Sequence, residues 1–180
     1  MSRRSARDKL SSGCAGFLSH GNSERQIEAV SPLVKEAVEL AHFDMRQRGV
    51  SIRLGNVPAD VSILADKVQI QHVLLNLLRN AAEAVANQEC REIVLLTEAN
   101  AATLQISVVD NGPGLPDEVR HKLFQPFVST KKTGMGVGLS ICHTIITAHN
   151  GHIRAEPNAD GGTIFRFTLP IAAVSDSAGG

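Results

Sequence analysis

Several kinds of residue are missing or scarce in this chain of 180 residues. It has no tryptophan and no tyrosine, and its six phenylalanines are scattered, so it lacks the aromatic platform on which single-stranded bases usually stack. Its 18 basic and 18 acidic side chains cancel to a formal charge of zero, so no global field attracts nucleic acid or an anionic membrane. These absences argue against nucleic acid as a partner.

Disulfide patterns and long apolar runs are also absent. The three cysteines are widely spaced and form no CxxC pair, which fits a reducing cytosol. No apolar run approaches the roughly 20 residues that cross a bilayer, and the first residues lack the apolar region of a signal peptide. We expect a soluble cytoplasmic piece without membrane contact of its own, although its parent protein could be anchored elsewhere.

The composition divides the chain into one principal domain between two tails. With 43% hydrophobic residues, the chain has enough apolar surface for one sizeable core. Residues 1–30 begin with a stretch rich in Ser, Gly, Arg and Asn and are expected to be a tail or the end of another helix. The domain is expected over residues 31–170, and residues 171–180 have tail composition.

Hydrophobic periodicity predicts alternating helices and strands inside this domain. A helix capped by Ser31 runs to about Arg48 and stops at Gly49, and a longer one capped by Asp66 extends to Val85. Strands are expected at residues 50–54, 61–65, 93–97, 104–109, 152–156 and 163–169, the first two paired with each other, and further helices at 116–123 and 139–148. This order predicts an α/β two-layer sandwich with helices on one face of a mixed sheet.

Two asparagines on the long helix are the first candidates for chemistry. Asn76 and Asn80 are four residues apart, so their carboxamides project from one face of the helix, one turn apart. An amide oxygen together with phosphate oxygens suits Mg²⁺, which prefers oxygen ligands and keeps several waters. Taken alone, the pair is more typical of two exposed amides than of a magnesium site.

Two glycine clusters indicate a phosphate ligand. Asp110 ends a predicted strand and is followed by Gly112 and Gly114, although a plain turn has the same composition. A second cluster at residues 134–138 precedes a helix, where backbone N–H groups and the helix dipole favour phosphate. It is neither a GxxxxGK[ST] loop nor a dinucleotide fingerprint, because no strand opens into it and no βαβ unit follows.

The segment between the glycine clusters combines apolar rings with lysines. Phe124 and Phe127 flank Pro126, and Lys131 and Lys132 follow. The rings would fix one end of a lid while the lysines meet a phosphate. A surface loop with solvated lysines explains the same pattern.

Together these segments resemble the ATPase domain that sensor histidine kinases share with type II topoisomerases and DNA mismatch-repair ATPases. Residues 71–84 resemble the N box, 110–114 the G1 box, 124–127 the F box, 134–139 the G2 box and 161–170 the closing strand. The phenylalanines of the F box and the short lid favour the kinase branch. The sequence from Gln125 to Ile141 is most similar to that of nitrogen-fixation and nitrogen-regulation sensor kinases.

The resemblance implies a role for each matched residue. Asn80 would hold magnesium as the catalytic residue, Asn76 and Arg79 would contact phosphates, and Asp110 would accept the adenine amino group. The other residues implied to contact or support the nucleotide are Gly112, Gly114, Lys131, Thr133, Gly134, Gly136, Val137, Gly138, Leu139 and Thr163. ATP and Mg²⁺ are therefore the expected ligands.

The phosphoacceptor of this family is not recognisable in the sequence. None of the seven histidines has the family's context of a following Glu or Asp and a nearby Pro, so each is interpreted as a surface or packing residue. The resemblance implies an acceptor histidine on a separate dimerising hairpin, of which residues 1–30 would be a remnant, and a response regulator downstream. We expect ATP binding and, at most, slow hydrolysis, without phosphorylation of the chain itself.

Two alternatives remain open from the sequence. A serine kinase of the anti-sigma-factor type shares the fold and would phosphorylate a protein serine instead of a histidine. A nucleotide-responsive docking module without catalysis is the other alternative, although both Asn80 and Asp110 are retained.

Overall fold

The computed structural model describes residues 24–120, 122–125 and 137–172. The helices are α1 (Val30–Gln47), α2 (Lys67–Ala84), the short α3 (Asp117–Arg120) and α4 (Gly138–Ala148). The strands are β1 (Gln26–Ala29), β2 (Ser51–Leu54), β3 (Ser62–Ala65), β4 (Glu92–Ala99), β5 (Thr103–Asp110), β6 (His152–Pro157) and β7 (Thr163–Pro170). No helix in these ranges is long and apolar enough to span a bilayer.

Five strands form one mixed sheet in the order β2-β4-β5-β7-β6. β2 runs parallel to β4, and the other neighbours are antiparallel. α2 packs on the central strands and contacts α1 on one side and α4 on the other. The predicted α/β sandwich, with helices on one face of a mixed sheet, is confirmed.

The predicted pairing of the strands at 50–54 and 61–65 is wrong. Ile52 of β2 lies opposite Ile93 of β4, and the Gly55 N–H extends this contact to the Leu95 carbonyl at 2.8 Å. β3 pairs instead with β1, a strand that composition alone had left in the tail. An alternating apolar pattern shows which face of a strand is buried, but it does not identify the neighbouring strand.

β3 has paired neighbours along both of its edges. Ile63 lies opposite Glu28 of β1 and also bridges to Ile171, and the Ala172 N–H donates to the Ser62 carbonyl at 2.8 Å. The chain entering α1 and the chain leaving β7 therefore flank the same strand.

The first helix begins differently from the sequence prediction. Its N-cap is Ala29, which provides no side-chain cap, so the predicted Ser31 cap is wrong. The strand β1 leads straight into α1, and the Val30 N–H donates to the Val61 carbonyl at 3.0 Å. Pairing with the segment before β3 thus sets the entry angle, while Gly49, with φ +66°, follows the helix end as predicted.

The long helix α2 forms the centre of the core. Asp66 caps it as predicted, accepting from the Gln69 N–H at 3.1 Å. Its buried apolar face comprises Ile70, Val73, Leu74, Leu77, Leu78, Ala81 and Ala82. Burial of each leucine or isoleucine contributes about 1.5–3 kcal/mol, so the position of α2 against the sheet is tightly fixed.

The remaining predicted elements are present with small changes at their ends. The helix expected at 116–123 is shortened to α3, and Leu123 beyond it packs into the core. α4 starts one residue earlier than predicted, at Gly138. The strands β6 and β7 form the expected closing pair.

Candidate functional site

The Asp110 side chain ends β5 and is almost fully buried, at 1% exposure. Its Oδ1 accepts from the Gly112 N–H at 2.9 Å and from the Thr163 N–H at 3.1 Å. Its Oδ2 is buried and, among the described residues, has no hydrogen-bond partner. Burial raises the pKa of this carboxyl above its usual value of 3.8, and the two backbone hydrogen bonds oppose part of that rise.

A buried oxygen of this kind is unusual in a folded protein. Buried polar groups are nearly always paired, because leaving one unpaired costs on the order of 1–3 kcal/mol. Asp110 Oδ2 is therefore suited to a ligand that donates a hydrogen bond. An amino group on a heteroaromatic ring is a donor of that class.

Glycines allow three backbone segments to meet around Asp110. A Cβ on Gly162 would lie 2.0 Å from the Asp110 carbonyl oxygen, and a Cβ on Gly112 would lie 3.0 Å from the Ala84 carbonyl oxygen. Gly114 has φ +82°, which favours glycine. The end of β5, the turn before β7 and the end of α2 are thus in close contact.

The two asparagines occupy the face of α2 that the sequence predicted. Asn76 is half-buried, and its Nδ2 donates to Cys142 Sγ of α4 at 3.2 Å. A Cβ on Gly138 would lie 2.8 Å from the same Nδ2, so the first residue of α4 lies against the amide. Asn80 is half-buried one turn further along, and Arg79 is exposed.

α2 links the two ends of the site. Asn76 lies beside the start of α4, while Ala84 lies beside Gly112. The two residues are eight positions apart, which at 1.5 Å per residue corresponds to about 12 Å along the helix. Asn80 lies halfway, so the helix connects the Asp110 end with the α4 end.

The start of α4 can receive an anion. Its N-cap, Val137, provides no side-chain cap, and helix N-terminal N–H groups together with the dipole attract phosphate. The Ser140 hydroxyl donates to the Val137 carbonyl at 2.8 Å, so it does not cover those N–H groups. Gly138 and Leu139 are half-buried here.

Four predicted site residues lie outside the described residues. They are Lys131, Thr133, Gly134 and Gly136. The structure therefore brings together Asp110, Gly112, Gly114 and Thr163 at one end of the site, and Asn76, Gly138 and Leu139 at the other.

Sequence reasoning missed two residues that shape the site. Gly162 makes room for Asp110, and the GlyGly pair before Thr163 was interpreted only as the beginning of the closing strand. Cys142 contacts Asn76, and burial raises the pKa of its thiol to about 11. The thiol is therefore neutral near pH 7 and adds no negative charge beside the proposed phosphate position.

Comparison with known proteins places the chain in a family. The sequence model described as histidine kinase-, DNA gyrase B- and HSP90-like ATPase matches residues 65–173. Sensor protein FixL of Bradyrhizobium diazoefficiens is 48% identical over 157 residues, which are 87% of this chain and 31% of FixL. The C4-dicarboxylate transport sensor protein DctS of Rhodobacter capsulatus is 37% identical over 79% of this chain and 22% of DctS.

The chain thus spans a third or less of the length of these two sensor proteins. FixL and the sensory histidine kinase/phosphatase NtrB of Rhodobacter capsulatus, 38% identical over 61% of this chain, are both similar to it. The predicted resemblance to nitrogen-fixation and nitrogen-regulation kinases is confirmed.

Solved structures agree with the sequence comparison. The nucleotide-free catalytic domain of histidine kinase ThkA superposes with a TM-score of 0.74 and 33% identity, covering 82% of this chain and 95% of that domain. ThkA in complex with response regulator protein TrrA matches with a TM-score of 0.71 and 30% identity, covering 82% of this chain and 42% of ThkA. The chain therefore belongs to the histidine kinase-, DNA gyrase B- and HSP90-like ATPase family, as a histidine kinase catalytic domain.

Proposed function

We propose that this chain binds ATP with Mg²⁺ and supplies the γ-phosphate to a histidine on a separate helical hairpin of a two-component sensor kinase. The observation that carries the proposal is the buried, unpaired Oδ2 of Asp110. An adenine amino group would satisfy it. The other end of the site lies about 12 Å away along α2. There, the Asn76 amide and the first N–H groups of α4 are suited to bind phosphates.

The Asp110 end explains a preference for adenine. Its carboxylate accepts hydrogen bonds when ionised, so the amino group of adenine is a fitting donor. Guanine carries a carbonyl oxygen at the equivalent position, which would bring two acceptors together. Gly112 and Gly114 let a flat base approach the backbone, and Thr163 holds Asp110 Oδ1 in place.

The α4 end suits the phosphates. The N–H groups of Val137, Gly138 and Leu139 begin a helix whose dipole favours negative charge, and the Asn76 amide lies against Gly138. By resemblance, Lys131, Thr133, Gly134 and Gly136 would close over the same phosphates, and Arg79 is a further phosphate contact.

Asn80 is the residue proposed to hold Mg²⁺. Its amide oxygen, completed by phosphate oxygens and waters, matches the oxygen ligands that this ion prefers. When bound, the ion would neutralise charge on the phosphates. Asn80 lies between Asn76 and Ala84 on α2, and this position supports the assignment.

The reaction follows from these positions. The lone pair of the acceptor imidazole forms a bond to the γ-phosphorus, the bond to the β,γ-bridging oxygen breaks, and its electron pair leaves with ADP. The chain contributes alignment of the phosphates and stabilisation of their charge. Response regulators are the proposed downstream partners, since ThkA was solved in complex with one.

Calorimetric titration tests the proposal. We expect an unhydrolysable ATP analogue and ADP to bind, GTP to bind far more weakly, and magnesium to strengthen binding to the chain but not to Asn80→Ala. Adding a separately produced histidine hairpin and labelled ATP should label histidine. Label on a serine peptide instead would favour the anti-sigma-factor alternative, which none of the relatives named above supports.

Absence of binding by every nucleotide would contradict the proposal. That result would favour the docking module without catalysis.

A further inference from the structure

His149 lies directly after α4, away from the residues assigned to the nucleotide, and is only 3% exposed. Its Nδ1 lies 2.8 Å from the Ile145 carbonyl oxygen, and its Nε2 lies 3.1 Å from the Asp66 backbone nitrogen. A carbonyl only accepts and a backbone N–H only donates, so Nδ1 carries the proton and Nε2 is an acceptor. The two contacts therefore select one neutral tautomer.

The contact with Asp66 is made at the start of α2. Asp66 is the N-cap of that helix, and its side chain accepts from the Gln69 N–H at 3.1 Å. The imidazole thus fixes the backbone of the residue from which α2 begins. This hydrogen bond is part-buried.

A second contact joins the same two helices further along. Asn76 Nδ2 donates to Cys142 Sγ at 3.2 Å, ten residues after Asp66 on α2 and seven before His149 on α4. Since α2 begins where α4 ends, the helices run antiparallel. Two hydrogen bonds join these helices, and their positions on α2 are about 15 Å apart.

We infer that His149 is a positioning residue for the nucleotide site, because it fixes the register in which the N-terminus of α4 faces Asn76. The inference rests on the proposed function. The N-terminal end of α4 packs so closely on α2 that a Cβ on Gly138 would lie only 2.8 Å from Asn76 Nδ2. A small slide or tilt of α4 would change where its first N–H groups meet a phosphate.

Two substitutions separate the roles of the ring nitrogens. The amide of His149→Gln reaches the Nε2 position and can accept from Asp66, whereas the amide of His149→Asn reaches only the Nδ1 position. Both variants leave the residues assigned to the nucleotide unchanged.

The test is the affinity for a magnesium-bound ATP analogue at pH 8, with a melting temperature for each protein. We expect His149→Gln to bind like the unaltered chain and His149→Asn to bind about fivefold more weakly, the effect of roughly one hydrogen bond.

Equal affinities at pH 8, with only the melting temperature of His149→Asn lowered, would reveal a merely structural role and overturn the inference. If His149→Asn does not fold, His149→Gln still decides, because a loss of affinity of about fivefold or more in that variant would also overturn the inference. If the unaltered chain binds no adenine nucleotide, the proposed function fails first and the inference falls with it.

Discussion

At the scale of single residues, the two oxygens of Asp110 have different environments. Oδ1 is held by two backbone N–H groups from Gly112 and Thr163, which orients the carboxylate. Oδ2 is equally buried but lacks a partner among the described residues. One oxygen therefore fixes the side chain, and the other is available for recognition.

Replacing this carboxylate should abolish adenine recognition. In Asp110→Asn, the amide oxygen keeps the two backbone hydrogen bonds, so its NH₂ group would face the adenine amino group, donor against donor. We expect at least a tenfold loss of affinity for the ATP analogue in calorimetry, equivalent to about 1.4 kcal/mol or more. Asp160→Asn, an exposed acid in the turn before β7, is the control, and binding by both variants would contradict the adenine contact.

The same substitution should have an opposite effect on the unliganded fold. Burial raises the pKa of Asp110 above 3.8, so the native state holds this proton more tightly than the unfolded chain does. Its contribution to stability is complete below pH 3.8 and is lost as the pH rises through the native pKa. Relative to the unaltered chain, Asp110→Asn should gain unfolding free energy as the pH rises above 3.8.

Denaturant unfolding at a series of pH values measures this difference. A difference between the two proteins that stays constant with pH would show that Asp110 titrates alike in the native and unfolded states.

At the scale of elements, the turn between β6 and β7 determines how closely the sheet approaches Asp110. Gly161 and Gly162 have similar positive φ angles, +93° and +96°. Their surroundings differ, because a Cβ on Gly161 meets nothing within 4 Å while one on Gly162 would collide with the Asp110 backbone. This pair separates backbone strain from close approach.

We expect Gly162→Ala to lower stability by at least about 2 kcal/mol and Gly161→Ala by about 1 kcal/mol. Only Gly162→Ala should also weaken nucleotide binding, since its methyl group would displace the Asp110 backbone at the end of β5. Thermal unfolding and calorimetry on both variants measure these effects. Equal losses would mean that φ alone, and not the contact with Asp110, requires glycine here.

Most helices and strands were predictable from the sequence, but the pairing partners of two strands were not. Apolar periodicity located α1, α2 and α4, and the Asp66 cap, because these signals are local. The partners of β2 and β3 depend on contacts between distant residues, such as Ile52 with Ile93. β1 was missed because four mostly exposed residues carry little burial pattern.

The candidate site was predictable to a similar degree. Asp110, Asn76 and the glycines were identified from motif order and spacing. Gly162, Cys142 and His149 were not assigned to it, since each acts through a contact with a residue more than 50 positions away. Their importance depends on how helices and strands pack, which spacing along the chain does not encode.

At the scale of the whole molecule, stability should fall from the centre of the sheet to its edges. β5 is paired on both sides, by β4 and β7, and carries buried residues along most of its length. Among the described strands, β1 pairs with β3 alone and exposes Ile27 at 69%. The two-stranded sheet of β1 and β3 therefore has much less buried apolar surface than the five-stranded sheet.

Amide hydrogen exchange should reveal this gradient. We expect the amides of β5 to exchange only through global unfolding and those of β1 through local opening, by at least about two orders of magnitude faster. Mass spectrometry of peptides covering the two strands measures the rates. Equal protection in β1 and β5 would show that both sheets unfold as one unit.

The pairing of β3 at both edges indicates that the chain can be circularly permuted. β1 and the segment at Ile171 flank one strand, so two strand spacings, about 10 Å, separate them. A linker of a few glycines and serines would join residue 172 to residue 26, and new termini could open in the exposed turn at Asn100–Ala102. Such a circular permutant would keep every strand pairing described above, and it would allow a fluorescent reporter to be fused beside β5.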